Sequence, residues 1–169
     1  PDLVLLHGWG MNAGVWHVLL PALRERFRVT VIELPGHGQS GFDGHDDLDA
    51  WVQACLDVAP EKAAWVGWSL GGLIAQRAAI IAPQRVHALC LVCSTPSFVQ
   101  HEDWSPAMAA AVFDQFAQSL VADPQATLKR FLGLQVKGAE DARTVLRALN
   151  EALAQRPVAN VDALKLGLS

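Results

Sequence analysis

The chain has no apolar run long enough to cross a bilayer. Its apolar runs, such as Leu3–Leu6 and Ala88–Cys93, hold only a few residues, where a spanning helix needs about 20. Basic residues are also in short supply: 13 Lys and Arg stand against 17 Asp and Glu, a formal net charge of -4. Nucleic-acid binding depends on basic patches that neutralise phosphates, so this balance gives no electrostatic case for it. Cysteine is scarce and unpatterned. Cys55, Cys90 and Cys93 are odd in number, show no CxxC or His/Cys spacing of a zinc site, and follow no secretory signal. A reducing cytosol is the expected compartment, and Cys90 and Cys93 are expected to pack as small buried residues. Pro1-Asp2-Leu3 runs straight into a strand without a start methionine, so the chain is expected to be a piece of a longer one.

What is present is enough apolar material for a substantial core: 169 residues, 51% of them hydrophobic, the size of one domain. Leu3-Val4-Leu5-Leu6, closed by His7-Gly8, has the composition of a strand buried on both faces. Val15, Leu19, Leu20 and Leu23 recur at helical spacing, and Phe27–Glu33 is β-branched and apolar. After the loop Leu34–Gly41, Asp46 or Asp47 can cap a helix carrying Trp51, Ala54, Cys55 and Val58. Ala63–Val66 reads as strand, Leu70–Ala82 as a helix ended by Pro83, and Val86–Val92 as strand. This βαβαβαβ alternation predicts a parallel sheet flanked by helices, with ligands bound beyond the carboxyl ends of the strands. Beyond Pro96 the pattern changes: Val112, Phe116, Leu120, Leu128, Phe131 and Leu132 fall at helical spacing, predicting several helices and no strand. Residues 1–96 form the expected core and 97–169 the expected helical lid or second domain.

Gly67-Trp68-Ser69-Leu70-Gly71-Gly72 matches G-x-S-x-G between a predicted strand and a predicted helix, the context in which the motif presents a nucleophilic serine. A sharp strand-to-helix turn strains the serine backbone, and the glycines leave room around it. The following helix aims free N–H groups at the place where an oxyanion would develop, making the Leu70 N–H the first candidate donor. His7-Gly8-Trp9-Gly10 lies after the first strand, and the Trp9 N–H is the second candidate. His7 itself is expected to hold loop shape rather than act as a base. Together these features predict an α/β-hydrolase fold with an inserted helical lid.

A serine needs a general base, normally a histidine oriented by a carboxylate, and in this fold the chain order is Ser, acid, His. That order fails here. After Ser69 the only histidines are His87, at a strand start, and His101, near the start of the helical block. His17, His37 and His45 are expected to be structural or exposed, and Asp162 is not assignable as the acid. The triad is therefore expected to be incomplete in this chain. No feature requires a metal or an organic cofactor.

His7–Gly10, Leu34–Gly38, Gly67–Gly72 and Ser94-Thr95-Pro96-Ser97-Phe98 occur in that order, followed by His101-Glu102-Asp103-Trp104 and Phe131-Leu132-Gly133-Leu134-Gln135. Over nearly its whole length the chain resembles the pimeloyl-[acyl-carrier protein] methyl ester carboxylesterases of biotin synthesis. The resemblance implies that Ser69 is acylated by the ester, that the oxyanion rests on Trp9 and Leu70, and that the triad acid and histidine lie on final strands after the lid that are missing here. It also implies that Phe131 and Gln135 contact the acyl chain and its ester end, and that Arg130, Arg143 and Arg147 face an acidic acyl-carrier protein. Arg143 and Arg147 are spaced i, i+4 on one helical face, which a solvated surface explains equally. Phe131 and Leu134 read equally as lid core. The expectation is a cytoplasmic, monomeric serine esterase. Two alternatives remain open: another hydrolase-fold enzyme, such as a lactonase or a lyase of menaquinone synthesis, and a non-catalytic protein that holds a carrier through its basic lid face.

Overall fold

The computed structural model describes residues 1–44 and 47–168; His45 and Asp46, among the residues discussed above, lie outside them. Four strands, β1 (Asp2–Leu6), β2 (Arg28–Ile32), β3 (Ala63–Trp68) and β4 (Val86–Val92), form one parallel sheet in the order β2-β1-β3-β4. Alternate side chains of a strand point to opposite faces, and the apolar clusters follow that rule. Val4, Leu6, Ala63 and Trp65 face α2 (Leu48–Val58) and α3 (Leu70–Ile81), where Trp51, Val52, Cys55, Ile74, Ala75 and Ala78 are buried. Leu3, Leu5, Ala64 and Val66 face the opposite side, against Trp16, Leu20, Leu23 and Phe27. The helix α2 starts at Asp47, whose side chain accepts from the Ala50 N–H at 2.6 Å, a capping bond for one of the helix's free donors.

The single helix expected around Val15–Leu23 is instead a 3-10 turn at Ala13–Trp16 followed by the short α1 (Leu20–Arg24). Pro21 lies in the first turn of α1; its ring carries no N–H and is tolerated only there, so a continuous helix through it is excluded. The Asn12 side chain caps the 3-10 turn by accepting from the Gly14 N–H at 2.9 Å.

The chain beyond β4 forms α4 (Ala110–Ala122), α5 (Pro124–Gln135), α6 (Ala142–Leu153) and α7 (Val161–Leu166), with isolated bridges Val99–Met108 and His101–Trp104 ahead of them. Of these helices α4, α5 and α7 share the larger apolar cluster with the sheet: Leu120, Ala163 and Leu164 are fully buried in it, with Leu128 and Phe131 packed against it.

Cys90 and Cys93 are exposed, contrary to their expected packing; only Cys55 is buried. The cause is position. β4 is an edge strand of the sheet, and of its residues only Val86 is buried, with Leu89, Leu91 and Val92 each close to 40% exposed (39%, 40% and 38%). An apolar run reads as core in the sequence whether or not a neighbour covers it.

Candidate active site

Ser69 sits between β3 and α3 with φ 54° and ψ −119°, a backbone region that side-chain-bearing residues rarely adopt and that persists only when its surroundings hold it. Its surroundings do so with glycines. A Cβ on Gly67 would strike the Gly71 carbonyl oxygen, and one on Gly71 would meet the His7 and Leu6 carbonyl oxygens at 2.5 and 2.6 Å. The helix start is thereby seated on the end of β1. A Cβ on Gly8 would stand 3.3 Å from the Ser69 Cβ, so the loop after β1 lies directly beside the serine.

Two histidines fix that loop. The His7 Nδ1–H donates to the Gly8 carbonyl at 2.8 Å, and its Nε2 accepts from the Leu34 N–H at 3.0 Å. The His37 Nδ1–H donates to the Pro35 carbonyl at 3.0 Å, and its Nε2 accepts from the Gly10 N–H at 3.3 Å. Both rings are fully buried. Burial, helped by the neighbouring His37, lowers the His7 pKa from 6.5 to about 3, and burial likewise lowers that of His37. Both are neutral and have both ring nitrogens engaged, so neither is free to serve as a base.

Glu33 is a third fixing point, and no motif or spacing singles it out. Its carboxylate accepts from the Ala13 N–H at 3.0 Å and the Gln39 N–H at 2.7 Å, and it pairs with Arg156 at 3.4 Å. One side chain thus ties the loop after β1, the loop after β2 and the segment leaving α6. A glutamate at the end of a strand has no local pattern; its three partners lie at separations of 20, 6 and 123 residues.

The Trp9 indole packs edge-on to Phe131 and Phe116, with ring centroids 5.0 and 5.3 Å away, and its Nε1–H donates to the Leu164 carbonyl at 2.8 Å. Trp9 is therefore held by the helical layer through its side chain, while the backbone N–H groups of Trp9 and Leu70 have no acceptor among the described residues.

Ser69 opens onto a cavity of about 190 Å³ lined by Trp9, Phe98, Met108, Phe113, Phe131 and Leu168, among others. The lining is apolar and aromatic, suited to an alkyl chain rather than to a charged or sugar-like group. Among the described residues no histidine, aspartate or glutamate lines this cavity. His87 and His101 are exposed on β4 and on the turn after it, and Asp162 pairs with Lys165 at 3.0 Å on the surface.

The remaining candidates distribute unevenly. Phe131 lines the cavity. Gln135 does not: it is exposed at the end of α5, and its Nε2–H donates back to the Phe131 carbonyl at 3.2 Å. Leu134, 54% exposed, still borders the cavity. Arg130, Arg143 and Arg147 are all exposed; Arg147 lies 3.9 Å from Glu151 one turn on. Among the described residues no group of three or more His, Cys, Asp or Glu side chains is placed to hold a metal ion, and no helix is long and apolar enough to cross a membrane.

A strained serine between a parallel strand and a helix, with free N–H groups beside it, defines a hydrolase-type nucleophile turn, and residues 1–166 match the family described as alpha/beta hydrolase fold. The chain belongs to that family. Among curated relatives it is 46% identical over 166 residues to a pimeloyl-[acyl-carrier protein] methyl ester esterase of Klebsiella pneumoniae, covering 98% of this chain and 64% of the relative. It is 44% identical over 170 residues to the protein of that name from Aeromonas hydrophila, covering 99% and 66%. The chain thus spans just under two thirds of these relatives' length. Among solved structures, a hydrolase from Pseudomonas aeruginosa superposes with a TM-score of 0.74 at 27% identity, covering 99% of this chain and 62% of that one. An esterase from Exiguobacterium antarcticum superposes at 0.84 with 19% identity, over 99% and 64%, a likeness of fold.

Proposed function

We propose that this chain carries the nucleophile, oxyanion donors and acyl cavity of a serine carboxylesterase that hydrolyses the methyl ester of pimeloyl-acyl-carrier protein, a step of biotin synthesis. The observation that carries the reading is Ser69 at φ 54°, facing an apolar cavity of about 190 Å³ with the unengaged N–H groups of Trp9 and Leu70 on the loops beside it. The Ser69 hydroxyl attacks the ester carbonyl, the developing oxyanion takes those two N–H groups, methanol leaves, and water releases the acid. The relatives' names supply the particular ester; the cavity's apolar lining agrees with the methylene chain of a dicarboxylic acyl group.

In this reading residues 97–169 are a lid over the core of residues 1–96, with Phe131 against the acyl chain and Gln135 turning toward the ester end only when substrate is bound. Arg130, Arg143 and Arg147 receive the acidic carrier, and the enzyme works as a cytoplasmic monomer without metal or cofactor. The acid and histidine that activate Ser69 come from sequence outside these residues, in the third of the relatives' length that this chain does not span. The test is hydrolysis of pimeloyl-acyl-carrier protein methyl ester by the protein as its source makes it. Turnover that falls by several orders of magnitude in Ser69→Ala supports the assignment; near-normal turnover in that variant overturns it.

A further inference from the structure

Ser69 and Cys93 are the non-glycine residues with positive φ among those described, at 54° and 47°. They stand at the carboxyl ends of neighbouring strands, β3 and β4, and hydrogen bonds join the two turns. The Ser69 N–H donates to the Val92 carbonyl at 2.9 Å, and the Ser94 hydroxyl donates to the Ser69 carbonyl at 2.8 Å. The same carbonyl also receives the Gly72 and Leu73 N–H groups of its own helix, at 2.9 and 3.2 Å. Those two bonds are local to α3, whereas the bonds from Val92 and Ser94 fix the turn relative to the sheet.

Ser94 is itself well seated. A Cβ on Gly72 would overlap the Ser94 Cβ and Oγ, so the absence of a side chain at 72 is what lets the hydroxyl reach the Ser69 carbonyl. The Gln76 side chain donates to the Gly72 and Thr95 carbonyls at 3.3 and 3.4 Å, tying the loop around Ser94 back onto α3. Ser94 does not line the cavity beside Ser69, so it is not placed to touch substrate.

We propose that Ser94 is a positioning residue for the nucleophile: its hydroxyl bond to the Ser69 carbonyl holds the strained turn at the angle that aims the Ser69 hydroxyl into the cavity. The proposal rests on the reading of Ser69 as nucleophile. A backbone conformation of this kind is strained and is retained only under constraint. Release of one constraint lets the turn relax by a fraction of an ångström, and misplacement of a reacting atom by about 1 Å can cost a factor of about 100. The loss therefore belongs to bond formation and not to binding.

The experiment uses the protein as its source makes it and an alkyl fluorophosphonate. The Ser69 oxygen forms a bond to phosphorus, fluoride leaves, and the serine proton is released with it as hydrogen fluoride. Intact mass gives the labelling rate at saturating probe and the half-saturating concentration for wild type, Ser94→Ala and Ser94→Cys, the last preserving shape with a poor donor. Saturated labelling about tenfold slower in both variants, with half-saturation and thermal midpoint near wild type, supports the proposal. Unchanged rates in the two variants overturn it, as does a loss that appears only as weaker half-saturation or lowered thermal stability. Failure of the wild-type protein to label, or labelling that persists in Ser69→Ala, overturns the nucleophile reading itself and this inference with it.

Discussion

His7 and His37 reach across to each other's loops: the His7 Nε2 takes the Leu34 N–H at 3.0 Å and the His37 Nε2 takes the Gly10 N–H at 3.3 Å, with the rings 5.3 Å apart. Each ring must be neutral for its Nε2 to accept, so the loop that carries the Trp9 N–H is held by two imidazoles that cannot both ionise in place.

This arrangement makes stability depend on acid. The buried His7 titrates at about 3, against an ordinary value of 6.5, so between those limits the unfolded chain binds a proton that the folded chain does not. Stability is full above about 6.5 and is lost progressively as pH falls toward 3, with His37 adding in the same direction. Thermal midpoints measured from pH 7 to pH 4 should fall steadily. In His7→Ala the slope should flatten, and at pH 7 the buried Leu34 N–H left without an acceptor should cost about 1–3 kcal/mol.

Ser69→Gly should separate stability from chemistry. Glycine adopts positive φ freely, so relief of the strain at 54° should raise unfolding free energy by about 1 kcal/mol in urea titration while abolishing ester hydrolysis. A variant less stable than wild type would show that the serine backbone is not strained.

Glu33→Ala removes the acceptor for the Ala13 and Gln39 N–H groups and the partner of Arg156 together. With the Glu33 side chain only 10% exposed, the expected cost is about 2–4 kcal/mol, since hydrogen bonds to a charged group are each worth about 1.5–3 kcal/mol. Glu33→Gln, which keeps an acceptor oxygen, should lose less, and chemical denaturation distinguishes the two.

Arg143→Ala with Arg147→Ala should leave stability nearly unchanged, because the Arg147–Glu151 contact is exposed on both sides and such pairs contribute about 0–1 kcal/mol. On the proposed carrier-linked ester the pair should lower kcat/KM at low salt, an effect that fades as ionic strength rises, and should spare a small soluble ester. Equal losses on both substrates would assign the arginines to the fold.

The parts of the site legible in the sequence are those with a local cause. G-x-S-x-G between a short apolar strand and an Ala/Ile-rich helix announces Ser69, because the turn itself demands those glycines; His7–Gly10 follows a strand for the same reason. Glu33 and Ser94 were not legible, since each acts through partners far along the chain, at separations of up to 123 and of 25 residues, and a lone Glu or Ser carries no pattern. Helical spacing makes Phe131 part of a helix, whereas only the resemblance singles out Gln135, which ends the same helix without lining the cavity. The exposure of Cys90 is not legible because hydrophobic runs report strand formation, while burial is decided by what lies alongside β4.

Trp9 joins two duties that enzymes often keep apart. Its peptide N–H belongs to the proposed charge-stabilising loop, and its indole is anchored to Leu164, Phe116 and Phe131 in the overlying helices. The helical layer is consequently not an interchangeable module. A transplanted helical layer of similar shape but without those anchors would leave the Trp9 loop adrift, so redesign of this scaffold has to treat the helices and that loop as a single inherited unit.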